Sequence, residues 1–300
     1  MGAWPARITA ADFVTPPEFA GQSLSAQAAG TIGGVRVKLS AQSRVTRVAV
    51  SYQQVPLRVL PCYLDQGLPS LLYLINPTNG LMQGDGQLID VDAGPDTRCL
   101  LVGQSATRLH PSDGSFCTQQ WRLRLAAGAL LVVLPGPTIP YQRARYYQRI
   151  EADLEPGAHL IWGDIWFAGR YARGHNSEAF RFDCLIQEMS LRRAGRSIYR
   201  DRFCWHGPWD ESTSRWHFRN QPASGSLFAT STLQDDDGIP AGGRFDTSHR
   251  DTVYRWSGPA ADVVVAVSQT ALKLAPNRSE GTRWLEIQNR LAPVHWFHVH

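Results

Sequence analysis

Short apolar or alternating runs of residues recur along the chain about every ten residues, and each ends at Gly, Pro, Asn or Asp. The runs are rich in β-branched and aromatic residues, which favour strands, and the regular turn signals favour antiparallel pairing. Such runs are typical of a sandwich, a barrel or stacked sheets. We therefore predict a mainly β fold with many antiparallel strands in stacked layers. The clearest runs begin at Arg36, Thr46, Ser70, Gln87, Thr97, Gln119, Ala129, His159, Phe180 and Ser197.

One segment near the C-terminus is the best candidate for a helix. Ala260 to Leu274 is apolar along most of its length and follows Gly258-Pro259, which marks a boundary. Its valine-rich middle also suits a strand, so both interpretations stay open and the helix is favoured. The polar stretches 221–226 and 234–243 are too short to be clear linkers, and we predict one domain over residues 1–300.

The charge of the chain is mildly positive, at +4, and almost all positive residues are arginines, because Lys38 and Lys273 are the only lysines. The arginines are scattered among acidic residues instead of forming a stripe, which predicts a protein partner and no nucleic acid. The longest apolar run, Leu125 to Leu134, is about half of the ~20 residues that cross a bilayer. The N-terminus has no secretory pattern. We expect a cytoplasmic protein without a membrane partner.

The cysteines give no recognisable metal or redox motif. There are five, they are widely spaced, and no two of them form Cys-x-x-Cys. Cys99 and Cys184 lie in strand-like apolar runs, where a thiol is most simply a small buried hydrophobic group. We therefore expect no structural zinc site from the sequence.

Two turn signals, Asn79-Gly80 and Asp85-Gly86, enclose Gly84. Asn, Asp and Gly tolerate positive φ angles at little cost, so the simplest interpretation is a turn that leads into the strand from Gln87. The alternative is that the glycines allow another chain to approach the backbone closely, with Asp85 as a carboxylate fixed at a rigid turn.

Polar residues also interrupt two apolar regions. The run from Gln104 to Arg108, followed by His110, either lines a polar cavity or forms the polar face of an ordinary strand. Asp164 lies inside an aromatic run, where an ionised carboxylate is costly unless it is paired. Arg170 is a plausible partner for a buried salt bridge, and the alternative is that Asp164 faces an internal channel.

The C-terminal residues include three histidines, His295, His298 and His300. His298 and His300 alternate, so a strand would place both imidazoles on one face, at a spacing that suits a divalent ion. Solvated terminal histidines are the favoured interpretation, and a weak metal site is the alternative.

Between Gly30 and Arg202 the chain resembles the family of urease accessory protein D, also called H. The resemblance is carried by the order and spacing of several segments rather than by one motif. These segments are PLRVLPCYLD, NPTNGLMQGD, QSATRLHPS, LLVVLPGPTIPY, ARYYQRIEADLEPGAHLIWGDI and GRYARG. The C-terminal third is diverged.

The resemblance implies a non-enzymatic role. Proteins of this family form layered β folds with about two helices, and they bind accessory proteins F and G and apo-urease, in a complex that is dimeric through the partners. The assembly supports GTP-dependent insertion of nickel. GTP belongs to the partner GTPase, and the D protein holds no tightly bound cofactor, only Ni²⁺ in transit through an internal polar tunnel.

Positions that match the family motifs imply where such a path would run. The family's Gly-Asp pair falls on Gly84 and Asp85. The family usually has Glu directly after the glycine that matches Gly174, where this chain has His175, and Glu178 is the carboxylate that could replace it. The implied nickel path comprises Asp85, Thr107, His110, Asp164, His175 and Glu178, and the implied turns are shaped by Gly80, Gly84, Gly86, Gly169 and Arg170.

Two other functions fit the same residues. A β-rich hydrolase would use Asp85, Asp164 and His110 as acid and base, although the chain has no recognisable nucleophile motif. A free-standing protein-binding module would keep the fold without any role in urease maturation.

Overall fold

The computed structural model describes residues 7–24, 30–42, 45–62, 70–174, 177–230, 240 and 242–274. Within these ranges the chain is dominated by strands, with two α-helices and two short 3-10 helices. The strands are β1 Ile32–Gln42, β2 Val45–Gln54, β3 Arg58–Cys62, β4 Ser70–Ile75, β5 Gly86–Ala93, β6 Arg98–Gly103, β7 Thr107–Leu109, β8 Cys117–Leu125, β9 Leu130–Leu134, β10 Pro137–Pro140, β11 Arg145–Leu154, β12 His159–Phe167, β13 Cys184–Arg193, β14 Arg196–His206, β15 Ala223–Ala229, β16 Gly243–Asp246 and β17 Thr252–Gly258. The helices are α1 Glu211–Phe218 and α2 Ala260–Lys273, and the 3-10 helices are Ala10–Asp12 and Pro17–Phe19.

The strands form two large sheets that face each other. The first sheet has seven strands in the order β14-β13-β11-β8-β5-β1-β2. The second has ten, in the order β16-β17-β15-β12-β9-β6-β4-β3, with β7 and β10 attached beside β12. The predicted mainly β fold in stacked layers with about two helices is confirmed.

The pairing within the sheets is mixed, and this corrects the expected antiparallel arrangement. Strands β1, β5, β8, β11 and β13 run parallel in the first sheet, and β4, β6, β9 and β12 run parallel in the second. Successive long strands from β4 to β13 lie alternately in the two sheets. Each turn therefore reverses the chain and also carries it across the sandwich, so each sheet collects strands of one direction. Turn residues mark the reversal but do not reveal which sheet the next strand joins.

The main core lies between the two sheets. Side chains of alternate residues on β5, β8, β11 and β13 meet those of β4, β6, β9 and β12, as the pleat of a strand requires. Trp121 and Trp162 are the largest fully buried members, and their rings meet edge to face with centroids 5.0 Å apart. This core is apolar along most of its length, and one polar layer, described below, interrupts it.

Helix α2 covers the outer face of the second sheet, which confirms the helix expected over Ala260 to Leu274. Val263 and Val267 of α2 pack on β12 and β15. The approach is close because both strands carry glycine at the crossing: a Cβ at Gly163 or Gly225 would lie 2.7 Å from a methyl group of Val267. None of the helices in the described ranges is long and apolar enough to span a bilayer.

The N-terminal residues cover part of the outer face of the first sheet. Phe19 is 1% exposed and stacks on Phe116, with ring centroids 4.6 Å apart. The side chain of Gln120, on the outer face of β8, accepts from the Val14 amide at 3.1 Å and donates to the Val14 carbonyl at 2.7 Å. These contacts fix the segment that contains Pro17–Phe19 against the sheet.

Candidate functional site

A row of four glutamines crosses the inner face of the first sheet. In the strand register Gln87 pairs with Gln119, Gln119 with Gln148, and Gln148 with Gln187. All four side chains are buried, with exposures between 1% and 7%. Four neighbouring strands thus place the same amide side chain at the same level of the core.

Hydrogen bonds join the glutamines in two pairs, and one of the pairs also reaches a carboxylate on the opposite sheet. Gln119 donates to Gln87 at 3.0 Å, and Gln187 donates to Gln148 at 2.7 Å. Gln187 also donates to Oδ2 of Asp164 at 2.9 Å. We call Asp164 and the four glutamines the polar row.

Two tryptophans form the apolar boundary of the polar row on the side of the main core. Trp121 Nε1 donates to Gln119 at 3.0 Å, and Trp162 Nε1 donates to Oδ2 of Asp164. On the other side the row is closed by a second apolar cluster that includes Tyr146 and Trp166. Buried polar groups cost free energy unless they are hydrogen-bonded, so a polar layer between two apolar clusters is a candidate for a function beyond stability.

Asp164 is the ionisable group of the polar row. The pKa of Asp164 is raised to about 7, first by burial and to a smaller extent by the charge of Asp201, although the hydrogen bonds from Trp162 and Gln187 favour the ionised form. Both hydrogen bonds reach Oδ2, and neither uses Oδ1. The carboxyl group is therefore able to gain or lose a proton near neutral pH.

A cavity lies at each end of the polar row. The smaller, of about 30 Å³, is lined by Gln87, Gln119 and Thr107, among others. The larger, of about 790 Å³, is lined at its inner end by Gln187 and Trp166. The row therefore extends across the inner face of the first sheet from the lining of one cavity to the lining of the other.

Two polar atoms at the row have no hydrogen-bond partner among the described residues. They are Nε2 of Gln87, at the end near the small cavity, and the hydroxyl group of Tyr146. Buried donors of this kind are rare in folded proteins unless a water molecule or an ion accompanies them. The row therefore has unused capacity to bind further polar ligands.

Asp85 does not belong to the polar row, and its carboxylate is occupied by the backbone. Oδ1 accepts from the Thr31 amide at 2.6 Å and Oδ2 accepts from the Met82 amide at 2.7 Å. Burial raises the pKa of Asp85, and these two hydrogen bonds only partly oppose the increase. The geometry is that of a carboxylate that stabilises a turn.

The turn glycines occupy conformations that only glycine adopts readily. Gly80, Gly84 and Gly169 have φ angles of +125°, +84° and +109°. A Cβ on Gly80 would collide with the carbonyl oxygen of Arg108. Gly86 has no such angle and starts β5. The first two glycines thus shape the segment that leads into the strand of Gln87.

Thr107 and His110 lie near the small cavity but differ in position. Thr107 begins β7 and lines that cavity. His110 is half-buried, its Nε2 lies 2.9 Å from the Asn79 carbonyl oxygen, and its ring meets the Tyr141 ring with centroids 5.1 Å apart. Only Thr107 therefore faces the end of the polar row directly.

Arg170 pairs with Glu178 and not with Asp164, which corrects the expected salt bridge. Two guanidinium nitrogens of Arg170 bond the Glu178 carboxylate, and the guanidinium carbon lies 4.1 Å from the centre of the Tyr141 ring. Partial burial raises the pKa of Glu178, but the bonds from Arg170 and from the Gln142 amide outweigh it and leave the pKa below its ordinary value. Glu178 is thus fixed in a surface ion pair.

Four of the expected site residues fall outside the described residues. They are His175, His295, His298 and His300. Asp85 and Asp164 are each held by separate hydrogen bonds, and among the described residues no hydrogen bond joins either carboxylate to His110. The three residues of the hydrolase alternative therefore do not form a hydrogen-bonded acid–base set.

The polar row was not predicted from the sequence. Its glutamines are separated by 32, 29 and 39 positions, and only the strand register brings them together. One feature of the sequence does point to the row: each glutamine occupies an inward-facing position of its strand, and the other inward-facing positions of that strand are apolar. Asp164 was recognised because its surroundings in the sequence are themselves apolar.

Comparison with known proteins identifies relatives of the chain. The sequence model of a family described as UreD urease accessory protein matches residues 31–279. Urease accessory protein UreD 2 of Brucella ovis is 33% identical over 162 residues, 53% of each chain. UreD 3 of Methylorubrum populi is 32% identical over 183 residues, 60% of this chain and 58% of its own. UreD 2 of a Synechococcus strain is 38% identical over 144 residues, which are 48% of this chain and 51% of its own. The chain spans about half the length of the curated relatives it matches.

Proposed function

The chain belongs to the UreD urease accessory protein family, and we propose that it serves urease maturation as a non-catalytic scaffold. In this proposal the chain binds accessory proteins F and G and apo-urease. The partner GTPase binds and hydrolyses GTP, and Ni²⁺ passes through the chain on its way to the urease active site. Nickel is cargo here and not a resident cofactor.

The observation that carries the proposal is the polar row between two cavities. A sandwich of this size gains stability from an apolar core, and a polar layer across four strands lowers that gain. The layer is useful if polar cargo has to cross the core. The cavities of about 30 Å³ and 790 Å³ at its ends supply the openings that such a crossing needs.

The donor atoms of the row suit an ion that must leave again. Amide and carboxylate oxygens are weaker ligands for Ni²⁺ than thiolate or imidazole, so each site holds the ion briefly. Passage of an ion along the row requires several binding sites of moderate affinity instead of one closed site. Asp164 supplies negative charge to the buried segment when it is ionised, which lowers the cost of a divalent ion there.

The partner surfaces of the scaffold are proposed near the larger cavity. Its rim carries Trp216, which is 83% exposed, and Phe245, which is 56% exposed. Exposed aromatic residues beside a cavity are typical of protein interfaces. A partner seated there would continue the path from the larger cavity, and we expect the assembly to be dimeric through the partners.

The proposal is tested by two neighbouring glutamines of β8. Gln119 faces inward in the polar row and Gln120 faces outward against the N-terminal segment, and both are buried and hydrogen-bonded. Gln119→Met removes the amide from the row while nearly conserving volume, and Gln120→Met is the matched control. Each variant replaces the native gene in cells that express the cognate urease operon in nickel-supplemented medium.

We expect Gln119→Met to lower both the activity and the nickel content of the urease at least about tenfold, because an apolar side chain interrupts the polar row. Gln120→Met is expected to retain most of both. Immunoblots measure the amount of each variant, so that loss of folding is separated from loss of transfer. Equal activation by the two variants at equal abundance would contradict the path through the row.

A further inference from the structure

Two cysteines and one histidine meet on the outer face of the first sheet, on its last two strands. Cys184 of β13 lies directly opposite His206 of β14 in the register, and Cys204 precedes His206 by two positions on the same face. Their ligand atoms all lie within 4.8 Å of one another, and Cys204 Sγ lies 3.3 Å from His206 Nε2. All three residues are in described strands, and both cysteines are free thiols.

The spacing of these atoms is close to that of a tetrahedral metal site. With bonds of about 2.3 Å to sulfur and about 2.0 Å to nitrogen, ligand atoms lie roughly 3.5–3.8 Å apart. The Cys204–His206 separation of 3.3 Å lies just below this range and the other separations are at most 4.8 Å, so small side-chain rotations would complete the geometry. We propose that Cys184, Cys204 and His206 bind one thiophilic divalent transition-metal ion, Zn²⁺ or Ni²⁺.

The site is separate from the polar row. Residues on successive positions of a strand point to opposite faces, and Gln187 of the row faces inward where Cys184 faces outward. The first sheet itself therefore stands between the two. The inference does not depend on the proposed path through the interior.

Charged residues around the three ligands balance a divalent ion. Arg145 is the register partner of Cys184, and Arg202 bonds Glu18 at 2.5 Å and Glu188 at 2.7 Å. On metal binding the two thiols release their protons and become thiolates. Two thiolates and two carboxylates then face two guanidinium groups and one divalent ion, so the loaded cluster has no net charge.

The exposure of the ligands predicts an exchangeable ion. Cys184 is 6% exposed, Cys204 is half-buried and His206 is exposed, so one side of the site is open to solvent. Three protein ligands leave a fourth position for water or for an incoming ligand, unlike the four of a closed structural site. Glu18, on the covering 3-10 helix, lies within electrostatic range of both Cys204 and His206 and is a candidate for that position.

The test is metal titration of the full chain, reduced, stripped of metal with a chelator and freed of any affinity tag. Co²⁺, Ni²⁺ and Zn²⁺ are the probes. Thiolate-to-metal charge-transfer absorption reports Co²⁺ and Ni²⁺, and Zn²⁺ is measured by displacement of Co²⁺. The absorption cannot arise from histidines elsewhere in the chain, because it requires a thiolate ligand.

The variants are Cys204→Ser and His206→Gln, which change the two more exposed ligands. Their matched controls are Cys62→Ser, a half-buried free cysteine on β3, and His249→Gln, an exposed histidine after β16. We expect about one ion per chain with thiolate absorption in the native chain and in both controls. Each ligand variant should bind at least about tenfold more weakly, since even outer-shell changes at metal sites cost that much.

The two ions are distinguished by competition: tighter binding of Zn²⁺ would assign the site to zinc, and tighter binding of Ni²⁺ would assign it to nickel. The proposal fails if the native chain binds metal without thiolate absorption, or if the absorption is undiminished in Cys204→Ser. It also fails if Cys184 and Cys204 form a disulfide under conditions that keep Cys62 reduced.

Discussion

Replacing Asp164 by Asn is expected to make the protein more stable and less able to activate urease. Trp162 and Gln187 both donate to the same oxygen of Asp164, so the Asn side chain is able to accept both hydrogen bonds through its single oxygen. The substitution therefore removes the ionisable group and keeps the packing. A change in stability with pH can then be assigned to the charge alone.

The magnitude follows from the pKa of Asp164, which is raised from 3.8 to about 7 in the folded chain. Between these values the folded state keeps the proton that the unfolded state has lost, so the free energy of unfolding decreases as pH rises through this window and is constant above it. The full difference corresponds to about 4 kcal/mol. From pH 4.5 to pH 8, the stability of the variant relative to the native chain should increase by about 3 kcal/mol.

Urea unfolding at pH 4.5, 6 and 8 measures this difference, and comparison of the two proteins at each pH cancels the titration of all other groups. Urease activity and nickel content in cells that carry each gene measure the second effect. A stability difference that is independent of pH would refute the assignment of a buried, proton-holding Asp164. Normal nickel content with the variant would refute its role in the path.

Two further substitutions test the framework that positions the site. Gly80→Ala should destabilise the chain by at least about 2 kcal/mol, because the φ angle of Gly80 is +125° and the new Cβ would meet the Arg108 carbonyl oxygen. The control Gly114→Ala places its Cβ in open space and should leave the stability unchanged. Equal melting temperatures of the two variants would contradict this reasoning. Asp90→Ala should lower the free energy of unfolding in urea by about 3 kcal/mol or more, because the buried Arg36 guanidinium loses one of its two carboxylate partners. A decrease of less than about 1 kcal/mol would contradict a stabilising Arg36–Asp90 pair.

The elements of the fold were largely predictable because they depend on local sequence. Strand-forming runs and turn residues located the strands, and the apolar run that follows Gly258-Pro259 indicated α2. Helix α1 was missed, although Asp210 accepts from the Thr213 amide at 2.8 Å and is a recognisable N-cap residue. Its short length gave too few turns for an apolar periodicity to be visible.

The pairing of the strands was not predictable, because parallel pairing depends on where each turn carries the chain. The same limit explains the candidate sites. Gln119 and Gln148 are neighbours only through the register of β8 and β11, and Cys184 meets His206 only through the register of β13 and β14. The alternation of Cys204 and His206 in the sequence was the one local signal for the second cluster, and Cys184 gave none.

Deletion of the gene from cells that carry the cognate urease operon is the most direct test of the central claim. Urease from cells grown in nickel-supplemented medium is purified and assayed for activity and for nickel per active site. The account predicts urease that is abundant, inactive and poor in nickel when only this gene is missing, and its recovery when the gene is restored. Fully active urease with normal nickel content in the deletion strain, with no second copy of the gene present, would contradict it.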